Sequence, residues 1–277
     1  MKEIGFFSID HLIKIGLPPL PGSVLRVSAL LTDINVSQRK IADAISIDPV
    51  LSSRILRIAN SPMYALRENV TNLCVAVTAI GNNSISQTIT ISGISDAFGR
   101  RVLSSPAGRE IWAHSIAVAM TAVEICRKAR ITAADEAFSC GLLHDIGKLI
   151  LLRADAPLYT KLLADANEVD LTEIETKTFG FDHAELGAAA AESWKLPASV
   201  TNLIKYHHQP FEATSGLAVV YVLHTADTLV NLKAAEKDIE ELYDDKSVVT
   251  FGLKADQFDE IWKNVCFRLK EILATLS

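Results

Sequence analysis

Apolar residues recur at helical spacing along nearly the whole chain, in runs separated by capping residues, proline and glycine. A stripe of period 3.6 buries one face of a helix and does not suit a pleated strand, so this pattern limits the fold more than any other feature. Val24, Leu25, Val27, Leu30 and Leu31 follow the rigid turn Leu17-Pro18-Pro19-Leu20-Pro21-Gly22. Ser37 is placed to cap a helix carrying Ile41, Ala42 and Ile45. Asp48-Pro49 reads as a cap followed by proline at the first helical position. Val50, Leu51, Ile55, Leu56 and Ile58 continue that helix to Asn60-Ser61-Pro62.

Two stretches are ambiguous. Val70 to Ile80 is rich in β-branched residues, although its length fits a buried helix, and Ser84 to Phe98 mixes Ile, Ser and Thr. Gly99 through Gly108, with Ser104-Ser105-Pro106, is the natural boundary. Beyond it, helices are expected at about 109–130, 134–152, 157–167, 171–178, 182–194, 197–208 and 216–232. Pro197 opens its helix, and the acidic run Glu236 to Asp245 reads as a solvated helix face or loop. Asp256 is placed to cap a last amphipathic helix with Phe258, Ile261, Trp262, Val265, Leu269 and Ile272. The expected architecture is all-α and two-lobed. One lobe covers residues 1–105, and the other covers 106–277, including the C-terminal helix.

A chain of 277 residues, 49% of them hydrophobic, has ample material for such cores. Its net charge of −6 argues against a general nucleic-acid binder but leaves room for a small phosphate-bearing ligand. No stretch approaches the roughly 20 apolar residues of a membrane span. Met1 to Phe7 lacks a secretory h-region. Cys74, Cys126, Cys140 and Cys266 form no Cys-x-x-Cys pair and read as buried, reduced thiols. These features lead to the expectation of a cytoplasmic protein without nucleic-acid or membrane partners.

Leu142-Leu143-His144-Asp145-Ile146-Gly147-Lys148 carries the strongest chemical signal. An imidazole and a carboxylate in adjacent positions offer two donors to one divalent cation, and Lys148, four residues after His144 and three after Asp145, is placed to share one helix face with both. A surface Asp–Lys pair beside a capping histidine is the ordinary alternative. His114, His183, His207, His208 and Asp227 each lie in an apolar, helix-like stretch. Singly, each histidine also reads as a hydrogen-bonded core residue. Asp227 is harder to dismiss, because a carboxylate in an apolar helix is costly unless paired or metal-bound. His224, three residues earlier, is placed to share its face. His207 and His208 reach one site together only near a helix end, where Pro210 puts them.

The order His, His-Asp, His, His-His, Asp resembles the HD phosphohydrolase superfamily. Leu17-Pro18-Pro19-Leu20-Pro21, Ile47-Asp48-Pro49-Val50-Leu51 and Ile55 to Pro62 resemble the N-terminal lobe of its HDOD family (HD-related output domain). Trp112-Ala113-His114-Ser115, His183 to Ala188 and Trp194-Lys195-Leu196-Pro197 fit the same family, and the resemblance runs over about residues 15–232. It implies an all-α fold and a role in bacterial signal transduction through a protein partner. It also implies one or two divalent metal ions, with iron, manganese, nickel and magnesium all open. His114, His144, Asp145 and Asp227 would hold one ion. Asp145 would bridge to a second, held by His183, His207 and His208. Lys148 and Asp145 would be the catalytic pair if the chain is an enzyme, with Lys148 facing phosphate. The related cyclic-dinucleotide phosphodiesterases continue their paired histidines into a Gly-Tyr-Pro signature. Here the chain reads His207-His208-Gln209-Pro210-Phe211-Glu212, which argues against cyclic di-GMP hydrolysis. Three readings follow: a regulatory module acting by partner binding, a metal-dependent phosphohydrolase on a nucleotide or other phosphoester, or a metal-free scaffold whose histidines are hydrogen-bonded core residues.

Overall fold

The structure, a computed structural model, describes residues 8–19, 21–31, 33, 35–64, 69–166, 170–246 and 248–276. The Met1 to Phe7 stretch, and Leu20 of the proline-rich turn, lie outside the described residues. All regular structure among the described residues is helical. Compactness divides the chain into two units, and not by a single cut near residue 105. One unit joins the segment ending at Pro18 to Arg100–Trp262, and the other joins Pro19–Gly99 to the chain from Lys263 onward.

Helix α1 (Ile9–Gly16) belongs to the first of these units. It packs on a later helix through Gly16, where an added Cβ would meet Ile150 Cγ2 at 2.7 Å. The other unit begins with α2 (Gly22–Leu31), α3 (Gln38–Ser46), α4 (Pro49–Ala59) and α5 (Leu73–Ile80). Ser37 caps α3 through Lys40 N, and the Asp48 carboxylate caps α4 through Val50 N and Leu51 N, with Pro49 at the start. Such a cap is worth about 1 kcal/mol. Asn72 caps the ambiguous Val70 to Ile80 stretch as a helix in the same way. Val27, Ile41, Ile45, Ile55, Val77, Ile85 and Ile89 form one apolar core. Helix α6 (Asn82–Leu103) settles the second ambiguous stretch as helix. It bends at Gly99, whose φ of 69° and ψ of 173° suit only glycine, and the units divide there.

The site-bearing unit continues with α7 (Pro106–Ala129), α8 (Ala134–Leu143), α9 (Ile146–Ala154), α10 (Ala156–Asp165) and α11 (Leu171–Phe179). Then follow α12 (His183–Ser193), α13 (Ala198–Lys205), α14 (Leu217–Ala234), the single turn α15 (Glu241–Asp244) and α16 (Ala255–Leu276), which begins in this unit and from Lys263 onward belongs to the other. The helix expected over 134–152 is two helices, because His144 and Asp145 form a turn between α8 and α9. Asp256 lies inside the first turn of α16 rather than before it. The α7 helix packs on α8 and α14, and α12 packs on α9 and α13. Close approach is built in by small residues. A Cβ on Gly141 would meet Ala119 Cα at 2.6 Å, and one on Gly147 would meet the His183 carbonyl oxygen at 2.1 Å. Trp194 Nε1 donates to the Pro18 carbonyl (2.9 Å), tying α12 to the segment after α1. Of the four thiols, Cys126 and Cys140 are buried, whereas Cys74 and Cys266 are half-buried.

Candidate metal centre

The turn between α8 and α9 is the origin of the site. On one continuous helix, successive side chains would point about 100° apart. The turn instead lets His144 and Asp145, both essentially buried, face the same space. His144 Nδ1 donates to the Gly141 carbonyl (2.7 Å), which leaves Nε2 as the free lone pair of the neutral ring. His207, in the turn after α13, repeats this arrangement by donating from Nδ1 to the Ile204 carbonyl (2.7 Å). The residue expected beside Asp227, His224, donates from Nδ1 to the His207 carbonyl (2.8 Å), so it props the His207–His208 turn.

All seven donor residues of the sequence reading are brought together, in two groups that share Asp145. On one side, His114 Nε2 lies 2.9 Å from Asp227 Oδ1, and His144 Nε2 lies 3.8 Å from the same oxygen. Asp145 Oδ2 is 3.4 Å from His144 Nε2 and 3.7 Å from His114 Nε2. On the other side, Asp145 Oδ1 is 3.3 Å from His183 Nε2 and 3.9 Å from His207 Nε2, and His183 Nε2 lies 2.9 Å from His208 Nε2. The two carboxylate oxygens of Asp145 thus face different groups. Lys148, still three residues on, donates from Nζ to Asp145 Oδ2 (2.8 Å).

The donor atoms of His114, His144 and Asp227 lie within 4.8 Å of one another, as do those of His183, His207 and His208 and those of His144, Asp145 and His207. Donors that share one ion at about 2.0–2.3 Å are separated by at most roughly 4.6 Å. A sharper indication is that His144 Nε2, Asp145 Oδ1 and His207 Nε2 are buried without a hydrogen-bond partner. Orphaned buried donors and acceptors are costly, and here three of them converge on one space. The residues present therefore fit a divalent metal.

Electrostatics agree with this fit. Burial opposes ionisation of Asp145, but His144, Lys148 and His183 outweigh it and hold the carboxyl well below its usual range. Burial likewise opposes ionisation of Asp227, and His114 and His144 reverse it. Lys148 keeps its charge, because Asp145 and Asp227 outweigh burial. Burial lowers His144, and burial with the neighbouring imidazoles lowers His207 strongly and His208 to about 3. These rings are neutral at physiological pH, as metal ligands must be. His183 departs from them: burial and Lys148 press it down, yet Glu175 and Asp145 raise it to about 9.

Three supporting residues escaped the sequence reading. Glu175 is fully buried, and its Oε2 accepts from both His183 Nδ1 (2.7 Å) and His183 N (2.9 Å). Tyr159 donates its hydroxyl to Glu175 Oε1. Asn231 donates to Asp227 Oδ1 (3.0 Å). A signal for Glu175 existed, since Leu171, Glu175 and Phe179 share one helical register and place a carboxylate in the apolar stripe of α11. A cavity of about 330 Å³ opens beside His208, lined also by Asp182, Glu185, Lys205, Tyr206 and Gln209.

The HDOD domain family matches residues 17–210, and the chain belongs to that family. An uncharacterized protein of Treponema pallidum (strain Nichols) is 26% identical over 196 residues, which are 69% of this chain and 37% of that one. The chain thus spans little more than a third of that relative's length. A candidate phosphohydrolase of Shewanella amazonensis SB2B has a similar structure, with a TM-score of 0.77 at 22% identity, covering 99% of this chain and 100% of that one. A candidate signal transduction protein of Marinobacter aquaeolei VT8 has a TM-score of 0.74 at 22% identity, covering 96% of this chain and 60% of that one. No helix among the described residues is long and apolar enough to cross a membrane.

Proposed function

We propose that the protein is a cytoplasmic bacterial signalling module whose metal centre holds one or two divalent ions and, on them, a phosphate-bearing ligand. The observation that carries this reading is the set of three orphaned buried atoms, His144 Nε2, Asp145 Oδ1 and His207 Nε2, in one buried space where an ion on either side of Asp145 would satisfy them. His114, His144, Asp145 and Asp227 would hold one ion, and Asp145, His183, His207 and His208 the other. When bound, a metal supplies positive charge for phosphate oxygens and acidifies a bound water. Lys148 holds Asp145 and presents its ammonium at the same place, where a phosphate oxygen would gain a charge-assisted hydrogen bond. Elemental analysis of protein purified without chelator tests the reading. About one or two equivalents of transition metal are expected, and a metal-free protein that takes up none on titration would refute it.

Output on this reading passes to a protein partner through the N-terminal lobe. Ile47 and Val50 flank the start of α4 and stay 63% and 56% exposed, an apolar surface on a unit without buried histidine or carboxylate among its described residues. A metal-dependent phosphohydrolase is the second reading, and the Asp145–Lys148 pair favours it, because that pair has the makings of phosphate activation. A panel of nucleotides and a nitrophenyl phosphate with added Mn²⁺, Fe²⁺, Ni²⁺ or Mg²⁺ separates the two. Little turnover is expected, since Gln209-Pro210 follows the paired histidines where a substrate-clamping signature would stand. Metal-dependent turnover that His144→Ala abolishes would decide for the enzyme.

A further inference from the structure

The imidazoles of the centre are not backed alike. His144 and His207 each lean their Nδ1 on a main-chain carbonyl of the turn before them. His183 leans its Nδ1 on a carboxylate, Glu175 Oε2, at 2.7 Å. The same oxygen accepts the His183 backbone N–H, so ring and backbone are gripped together at the first residue of α12. Glu175 Oε1 is held in turn by the Tyr159 hydroxyl, and both residues are 0% exposed. A fully buried carboxylate is expensive, and this one serves a single imidazole.

We propose that Glu175, held by Tyr159, is a positioning residue that makes the His183–His207–His208 group the tighter of the two candidate metal positions for a transition metal. This inference rests on the metal-centre reading above. A carboxylate behind a ligating imidazole fixes the tautomer with the proton on Nδ1, aims Nε2 inward and strengthens Nε2 as a donor. The group also offers three imidazole nitrogens beside the shared Asp145. The opposite group offers two imidazoles with Asp227 and Asp145. Nitrogen-rich sets favour zinc, nickel and iron, whereas carboxylate-rich sets suit manganese and magnesium. The two positions should therefore fill in order, the Glu175-backed one first.

The test is titration of the full chain with Zn²⁺ and with Mn²⁺ against a chromophoric chelator, for wild type, Glu175→Gln, Tyr159→Phe and Asn231→Ala. Wild type should show two steps of unequal affinity for Zn²⁺. Glu175→Gln keeps the shape of the side chain and should weaken the tighter step by roughly 10–100-fold while leaving the weaker step in place. Tyr159→Phe should weaken the same step by less. Asn231→Ala, which acts on Asp227, should weaken the other step instead. Thermal melts of the chelated proteins separate positioning from mere stability, because a purely structural Glu175 would lower the melting temperature and leave both affinities alone. If Glu175→Gln does not fold, Tyr159→Phe carries the test. Two wild-type steps with the tighter one unchanged in the folded variants would overturn the inference and spare the metal centre. A wild type that binds no metal would overturn the metal centre itself.

Discussion

The unit of residues 19–99 and the unit of residues 100–262 bury different things. The first closes over Val27, Ile41, Ile45, Ile55 and Val77, and Ser92 is the one polar side chain it buries among the described residues. The second buries His144, Asp145, Glu175, His183, His207, His224 and Asp227 among its leucines and isoleucines. An apolar core gains about 25 cal/mol for each Å² removed from water. A polar core loses on desolvation and recovers the loss only where each group finds a partner or an ion. The contrast teaches that one unit is built to be stable and the other to hold charge in a fixed place.

Asp145→Ala should strain that contrast most. It removes the carboxylate that offers one oxygen to each donor group and leaves Lys148 without its partner, so unfolding free energy should fall by roughly 3–5 kcal/mol. Metal content measured on the folded fraction should drop toward zero, and wild-type content would remove Asp145 from the ligand set. Ile55→Ala is the counterpart in the apolar unit. Its cavity should cost about 2–5 kcal/mol in a denaturant melt, with metal affinity unchanged well below the transition. A parallel loss of affinity would mean that the two units do not divide the work.

Next comes pH. His208 has its pKa lowered to about 3, so below its ordinary value of 6.5 the unfolded chain takes up the proton and the native state does not. Metal-free stability should therefore rise as pH increases toward 6.5. His183, raised to about 9, works the other way: its contribution is complete below 6.5 and is lost as pH rises through 9. Melting temperature in chelator should peak near pH 6.5, and a flat profile would contradict the charged core. Metal uptake should release the His183 proton below pH 9, so affinity should climb between pH 6.5 and 9.

Gly147→Ala sets a methyl group against the His183 carbonyl. Overpacking of this kind costs about 1–3 kcal/mol, and the displaced imidazole should weaken metal binding in the same chelator competition. Among the substitutions at the centre, Lys148→Ala should have the smallest effect on the metal. Its content should stay near wild type, while inorganic phosphate should bind the loaded protein roughly tenfold more weakly, the worth of one charge-assisted hydrogen bond. A large loss of metal would make Lys148 a structural prop of the centre.

Helix content was readable because it is local. Ser37, Asp48 and Pro49 cap where their residue types require, and the apolar stripes follow the helical period. The ambiguous Val70 to Ile80 and Ser84 to Phe98 stretches became helices because burial overrode the weak strand preference of β-branched residues. The seven candidate ligands stood out as well, since histidine and aspartate are uncommon in apolar helices. The break between α8 and α9 was not readable, because Leu143 to Gly147 contains no proline and Asp145, at the N-cap of α9, reads equally well as a helix-face partner of Lys148. Glu175 was hidden by its setting in a helix with an exposed Glu173–Lys177 pair, where one more glutamate looks like surface.

The sequence by itself determined the all-helical class, the caps at Ser37 and Asp48 and the family, and it marked seven candidate metal ligands, because each depends on residue type and spacing along the chain. Tertiary structure decided that Asp145 turns one oxygen to each donor group, that Glu175 and Tyr159 stand behind His183, and that Asn231 braces Asp227. Those facts depend on where α7, α9, α11, α12 and α14 meet. Gly147 admits the His183 backbone at a distance any side chain would forbid, and no local periodicity encodes that approach.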